Sequence, residues 1–138
     1  MSVKIRPEDK WFSLYIRARD GWACQRCGRR FRPYIEGGDN THLKGLHCAH
    51  MFGRGAHMTR WQEDNVLSLC YGDHSYLDSH SVEKVAFFTE RLGKERFDDL
   101  GRLSHQPYHG WKRDAKEIVK LYKFKFQQYL QKVPIKLQ

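Results

Sequence analysis

Long apolar runs are missing from this 138-residue chain, whose longest is Val85-Ala86-Phe87-Phe88. That is far short of the roughly 18 residues a membrane span needs, so a membrane-spanning helix is excluded. The opening segment, MSVKIRPEDK, carries charges and no apolar stretch, so a secretory signal is not expected. Internal repeats and low-complexity tracts are also missing, and the composition excludes collagen and coiled-coil arrays. Cysteines number only four, and without an export signal they are expected as reduced thiols, suited to metal binding or catalysis before disulfides. What is present is a folding composition: 40% hydrophobic and 14% aromatic residues, on a length that makes one domain over 1–138.

Charge is abundant and uneven. The formal net charge is +9. Residues 1–30 carry a net +5 and residues 111–138 a net +6, while 31–110 carry −2. Two basic ends around a nearly neutral centre point to a polyanion, because phosphate neutralisation with counterion release rewards clustered Lys and Arg.

Local patterns predict an α+β chain. Pro7, followed by Glu8 and Asp9, reads as a helix start, with Trp11, Leu14, Tyr15 and Ala18 at helical spacing and a stop at Asp20-Gly21, giving a helix over about 7–20. Residues 33–45 and 53–60 read as loops. Leu46–Phe52 and Val66–Cys70 read as the two strands of a hairpin with a long connection, Tyr71-Gly72 as a turn, and His74 as the opening of a helix. Helical segments follow over about 82–100, with Ser81 as N-cap and Gly93 ending its apolar stripe, and over about 111–133, ended by Pro134. The last carries Lys112, Arg113, Lys116, Lys120 and Lys123 on its polar face.

Cys24-Gln25-Arg26-Cys27 has the spacing of a zinc knuckle, in which two thiolates on a tight turn share one tetrahedral ion. Cys70 is a third thiolate. A second Cys-x2-Cys would put its last cysteine where Asp73 stands, so the fourth ligand is either Cys48, which makes an all-sulfur site and is preferred, or Asp73, which makes a Cys3Asp site. A redox role for the Cys24–Cys27 pair would need a βαβ context that the chain lacks.

His50 on the first strand, Asn65 at the start of the second and His74 on the following helix make the sharpest constellation. Phosphodiester hydrolysis needs a base for water and a cation for the scissile phosphate. A strand histidine facing a helix histidine can serve both needs, and an asparagine between them can fix the intervening loop. Arg54 and Arg60 flank that loop and are candidates to hold phosphate through the guanidinium fork. Trp61 reads as core. The other histidines, His47 and His57 included, read as surface or hydrogen-bonded residues.

In this arrangement the chain resembles the small phage- and prophage-type HNH endonucleases. The likeness is carried by Arg17-Ala18-Arg19-Asp20-Gly21-Trp22-Ala23-Cys24-Gln25-Arg26-Cys27-Gly28, Leu46-His47-Cys48-Ala49-His50, Thr59-Arg60-Trp61-Gln62-Glu63-Asp64-Asn65-Val66 and Leu69-Cys70-Tyr71-Gly72-Asp73-His74, across roughly residues 10–100. The resemblance implies a ββα-metal (His-Me finger) core over about 20–80 with a structural Zn2+, flanked by N- and C-terminal helices. It implies a divalent Mg2+, or Mn2+ or Ni2+, at the catalytic centre, and nicking or double-strand cleavage of DNA inside a bacterial host's cytoplasm. His50 resembles the family's general base, Asn65 the loop-orienting asparagine, His74 the helix ligand of the catalytic cation, and Cys24, Cys27 and Cys70 zinc ligands. Many members carry Asp or His just before the base as a further metal ligand. Here Ala49 stands there, and Asp78, four residues after His74, is the expected replacement, with His80 or water as alternatives. Ala49 keeps a second reading open: a catalytically inactive, zinc-stabilised nucleic-acid-binding module. A zinc-stapled protein-interaction domain is a third.

Overall fold

The computed structural model describes residues 4–132, with side chains to 131. It is an α+β fold of six α-helices and one two-stranded antiparallel sheet among the described residues.

Helix α1 (Pro7–Arg19) is the central element. Pro7 occupies its first turn, and the Asp9 carboxylate accepts the Arg6 backbone N–H at 2.8 Å, satisfying a donor that a helix start leaves open. Two stripes of α1 are buried. Phe12 and Ile16 face Trp61 and Val66, while Leu14 and Ala18 face Trp22 and Leu43. The sequence pattern had pointed to Trp11, Leu14, Tyr15 and Ala18; Trp11 and Tyr15 are only partly buried. The difference arises because α1 is covered on two sides, so no single apolar stripe describes it. The long helix α6 (Trp111–Lys132) closes both clusters, Tyr122 against the first and Phe126 against the second. Its Lys112, Arg113, Lys116, Lys120 and Lys123 are exposed. The stop expected at Val133-Pro134 lies outside the described residues.

Strands β1 (Leu46–His50) and β2 (Val66–Cys70) pair from Leu46 opposite Cys70 to His50 opposite Val66. All five β2 residues are buried. Its outer edge is satisfied without a third strand: Arg19 donates to the Val66 carbonyl at 2.9 Å, Ser68 N–H donates to Asp20 at 2.8 Å, and Gln25 N–H donates to the Ser68 carbonyl at 2.8 Å. On the outer edge of β1, Arg17 donates to the Leu46 carbonyl at 3.3 Å. Successive β1 side chains alternate between faces. His47 and Ala49 face helix α3 (Tyr71–Ser79), and Cys48 and His50 face α1.

Several boundaries differ from expectation. β1 ends at His50 instead of Phe52, because Asn65 then takes over the backbone of residues 51 and 52. A one-turn helix α2 (His57–Arg60) lies within the expected 53–60 loop, and a 3-10 turn (Thr41–Gly45) within 33–45. Tyr71-Gly72 is the first turn of α3 instead of a separate turn, since the Cys70 sulfur caps the helix by accepting the Asp73 N–H at 3.5 Å. The segment expected over 82–100 divides into α4 (Ser81–Leu92) and α5 (Lys94–Ser104). The break is at Gly93, whose φ of +86° suits glycine.

Candidate functional site: a cysteine cluster and a groove along strand β1

Gly28, at φ +80°, lets the chain turn tightly after Cys27, and the Cys24 N–H donates to the Arg29 carbonyl at 2.9 Å. The Gln25–Ser68 bond pins this knuckle to β2. Cys24 and Cys27 thereby meet Cys70 and Asp73, with the ligand atoms all within 4.8 Å of one another. Cys27 and Cys70 sulfurs stand 3.9 Å apart. Tetrahedral thiolates about 2.3 Å from zinc stand roughly 3.8 Å apart, so the spacing fits. The cluster is placed to hold a metal ion. Cys24 Sγ lies 3.1 Å from Asp73 Oδ2, and Arg26 donates to the other oxygen at 2.5 Å, which orients the carboxylate from outside. Burial opposes the charge on Asp73, but hydrogen bonds from the cysteines and Arg26 outweigh it and hold the carboxyl down at about 2. A backbone N–H from Arg29 favours the Cys27 thiolate, yet bonding to Asp73 and the neighbouring thiols pushes the group up to about 12.

The preference for Cys48 as fourth ligand is corrected. Asp73 takes that place, and Cys48 faces α1 because strand alternation turns it to the opposite side of β1 from the cluster. Burial pushes its thiol up to about 12, that of an inert apolar side chain.

A groove of about 1200 Å³ runs along β1. His47, His50, Arg54, His74, Asp78 and Lys84 are among the residues that line it. His50 and His74 leave β1 and α3 on opposite sides of the sheet, and no hydrogen bond joins them among the described residues; the groove is what they share. His50 Nε2 is 3.0 Å from the Arg60 carbonyl. A carbonyl only accepts, so Nε2 carries the proton and Nδ1 keeps the lone pair. Burial is the main cause that lowers this histidine to about 4, with the charge of Arg54 adding to it, so the ring is neutral at pH 7.

Asn65 is fully buried and holds the loop after β1 from inside. Its Oδ1 accepts the Phe52 N–H at 2.8 Å, and its Nδ2 donates to the Phe52 and Thr59 carbonyls, each at 2.9 Å. Arg60 holds the far end of the same loop. Its guanidinium pairs with both Asp9 oxygens, at 3.0 and 2.6 Å, and donates to the Lys4 carbonyl at 2.9 Å. Burial opposes the charge on Asp9, but hydrogen bonds from Arg60 and from the Arg6 backbone keep its carboxyl below the usual range. Arg60 is 1% exposed, so the expectation that it holds phosphate is corrected: its charge is spent on Asp9 inside the protein. Arg54 does line the groove.

His74 lies between two partners. Its Nδ1 is 2.8 Å from His47 Nδ1, and its Nε2 is 3.2 Å from Asp78 Oδ2. Lys84 holds the other Asp78 oxygen at 2.9 Å. Burial, partly offset by Asp78, lowers His74 below its ordinary value. His80 stacks on Tyr76 with ring centroids 4.0 Å apart and takes no part. Neither His47 nor Lys84 is singled out by the sequence. The period of two along a strand was the available signal for His47, since it shares a face with Ala49. Comparison of the chain with protein-family models, curated proteins and solved structures returned no match.

Proposed function

We propose that the protein is a metal-dependent endonuclease of the HNH type that hydrolyses DNA phosphodiester bonds, built on a ββα-metal core of β1, β2 and α3. The observation that carries this reading is His50: a neutral imidazole, held by its Nε2–H on a fixed backbone carbonyl, with Nδ1 left as the basic atom on a ring that lines the groove. His50 Nδ1 takes a proton from water as the new phosphorus–oxygen bond forms and the bond to the leaving oxygen breaks. Asn65 and Arg60 keep that ring in place through the loop they hold. Residues around His74 are suited to a divalent cation, which when bound supplies positive charge to the phosphate oxygens.

The Cys24, Cys27, Cys70 and Asp73 cluster, in this reading, holds structural Zn2+, which ties the knuckle to the first turn of α3 where so short a sheet buries little apolar area. Arg54 in the groove and Lys10 on its wall would meet backbone phosphates. Lys10 shares the Trp11 ring with Lys123, which connects the groove wall to the basic face of α6. Nicking of supercoiled plasmid with added Mn2+, Ni2+ or Mg2+, with and without chelator, tests the proposal. Cation-dependent nicking that disappears in His50→Ala supports it. DNA binding without nicking under any of these ions would leave an inactive nucleic-acid-binding module.

A further inference from the structure

His47 is a groove histidine that the mechanism above leaves without a task. Resting on that nuclease reading, we propose that His47 and His74 hold the catalytic cation together through their Nδ1 atoms, that Asp78 orients His74 instead of binding the ion, and that the ion is a nitrogen-preferring transition metal in place of Mg2+.

Three observations lead there. First, the two Nδ1 atoms are 2.8 Å apart. Nitrogen ligands about 2.1 Å from a shared ion stand roughly 3.0 Å apart in octahedral and roughly 3.4 Å apart in tetrahedral coordination, so a movement of under about 1 Å separates this pair from a two-nitrogen site. Second, the proton on His74 is assigned by its other neighbour. Asp78 accepts from Lys84 through one oxygen at 2.9 Å and faces His74 Nε2 through the other at 3.2 Å. An ionised carboxylate only accepts, so Nε2 carries the proton and Nδ1 accepts the Nδ1–H of His47, and the ion on binding displaces that proton to solvent. A carboxylate behind a histidine whose opposite nitrogen binds a metal is the usual outer-sphere arrangement of such sites, and it makes Asp78 a positioning residue. The sequence expectation that Asp78 is itself a ligand is thereby replaced. Third, His47 leaves the same face of β1 as Ala49, which has no ligand atom, and its ring makes a T-shaped contact with Tyr71 at 5.7 Å.

Chemistry then selects the ion. Two imidazole nitrogens suit Ni2+, Co2+ and Zn2+, whereas Mn2+ leans to oxygen ligands and Mg2+ prefers oxygen and keeps its waters. The His47–His74 pair shares no ligand atom with the cysteine cluster, so the two ions are bound separately.

The test is metal titration of the full chain already carrying one zinc, followed by calorimetry and by Co2+ absorption, in which thiolate charge-transfer bands distinguish the cysteine cluster from a nitrogen site. The wild type is expected to bind a second ion, Ni2+ or Co2+ well ahead of Mg2+. His47→Ala and His47→Gln, with zinc content and circular dichroism unchanged, should weaken that second ion at least about tenfold, and Asp78→Asn should weaken it by about tenfold. Unchanged second-ion affinity in both His47 variants overturns the site, and Mg2+ binding as tight as Ni2+ overturns the choice of ion. Parallel plasmid nicking keeps the two readings apart. A His47-dependent second ion without nicking sinks the nuclease reading and leaves the site standing. Nicking that survives with an intact second ion in the His47 variants sinks the site and leaves the nuclease.

Discussion

His50 and Arg60 are joined by one hydrogen bond, from the imidazole Nε2–H to the arginine's backbone carbonyl at 3.0 Å. Arg60 in turn is locked by its side chain to Asp9 at the start of α1. The orientation of one ring therefore depends on an ion pair on the far side of the loop.

Replacing His50 by alanine should lower the nicking rate by about 10²–10⁴-fold, the usual worth of a general base, with DNA affinity little changed. Gel shift and nicking on the same preparations check this.

The pH dependence carries its own signature. His50 has an ordinary value of 6.5 and is held at about 4 in the folded chain. Between these values the unfolded chain takes up a proton that the folded chain refuses. Stability should fall as pH drops from about 6.5 to about 4, by on the order of 2–3 kcal/mol from this group. In urea melts across that window, His50→Gln should flatten the slope. The same neutrality should keep the base competent well below pH 6.5, and an activity limb near pH 6.5 would show that another group titrates.

Breaking the Asp9–Arg60 pair leaves a buried charge without its partner. Asp9→Ala or Arg60→Ala should cost about 3–5 kcal/mol in denaturant unfolding. Arg54→Ala should do little to stability but reduce the salt slope of DNA binding by about one. A larger salt effect from Arg60 than from Arg54 would contradict the buried placement.

Zinc content separates the two candidate fourth ligands. Asp73→Ala and Cys27→Ser should lower the measured zinc per chain and the melting temperature, while Cys48→Ala should leave zinc near the wild-type level. Chelator should loosen the knuckle and α3 together, read by loss of ellipticity and easier proteolysis.

Much of this arrangement is legible in the sequence. The helix start at Pro7, β2 at Val66–Cys70 and the break at Gly93 follow from punctuation and short-range pattern, and the structure has them there. Cys24 and Cys27 could be paired by spacing, and Cys70 joined them through the small number of cysteines and the family resemblance. What spacing could not supply was side-chain direction. Cys48 and Asp73 differ as ligands because a strand turns one away while a helix cap turns the other inward. Arg60 looked like a surface charge because its partner, Asp9, lies 51 positions earlier in the chain. His47 was hidden for the same reason: its partner His74 stands 27 positions later, on the helix packed against that face of the sheet.

Asp73 and His74 are consecutive residues at the start of α3, one belonging to the cysteine cluster and the other to the groove. Any ion that tightens that helical turn acts on both neighbours at once. Loading of the two centres is then thermodynamically linked: zinc should raise the groove's affinity for its own ion, and by reciprocity the second ion should slow zinc loss.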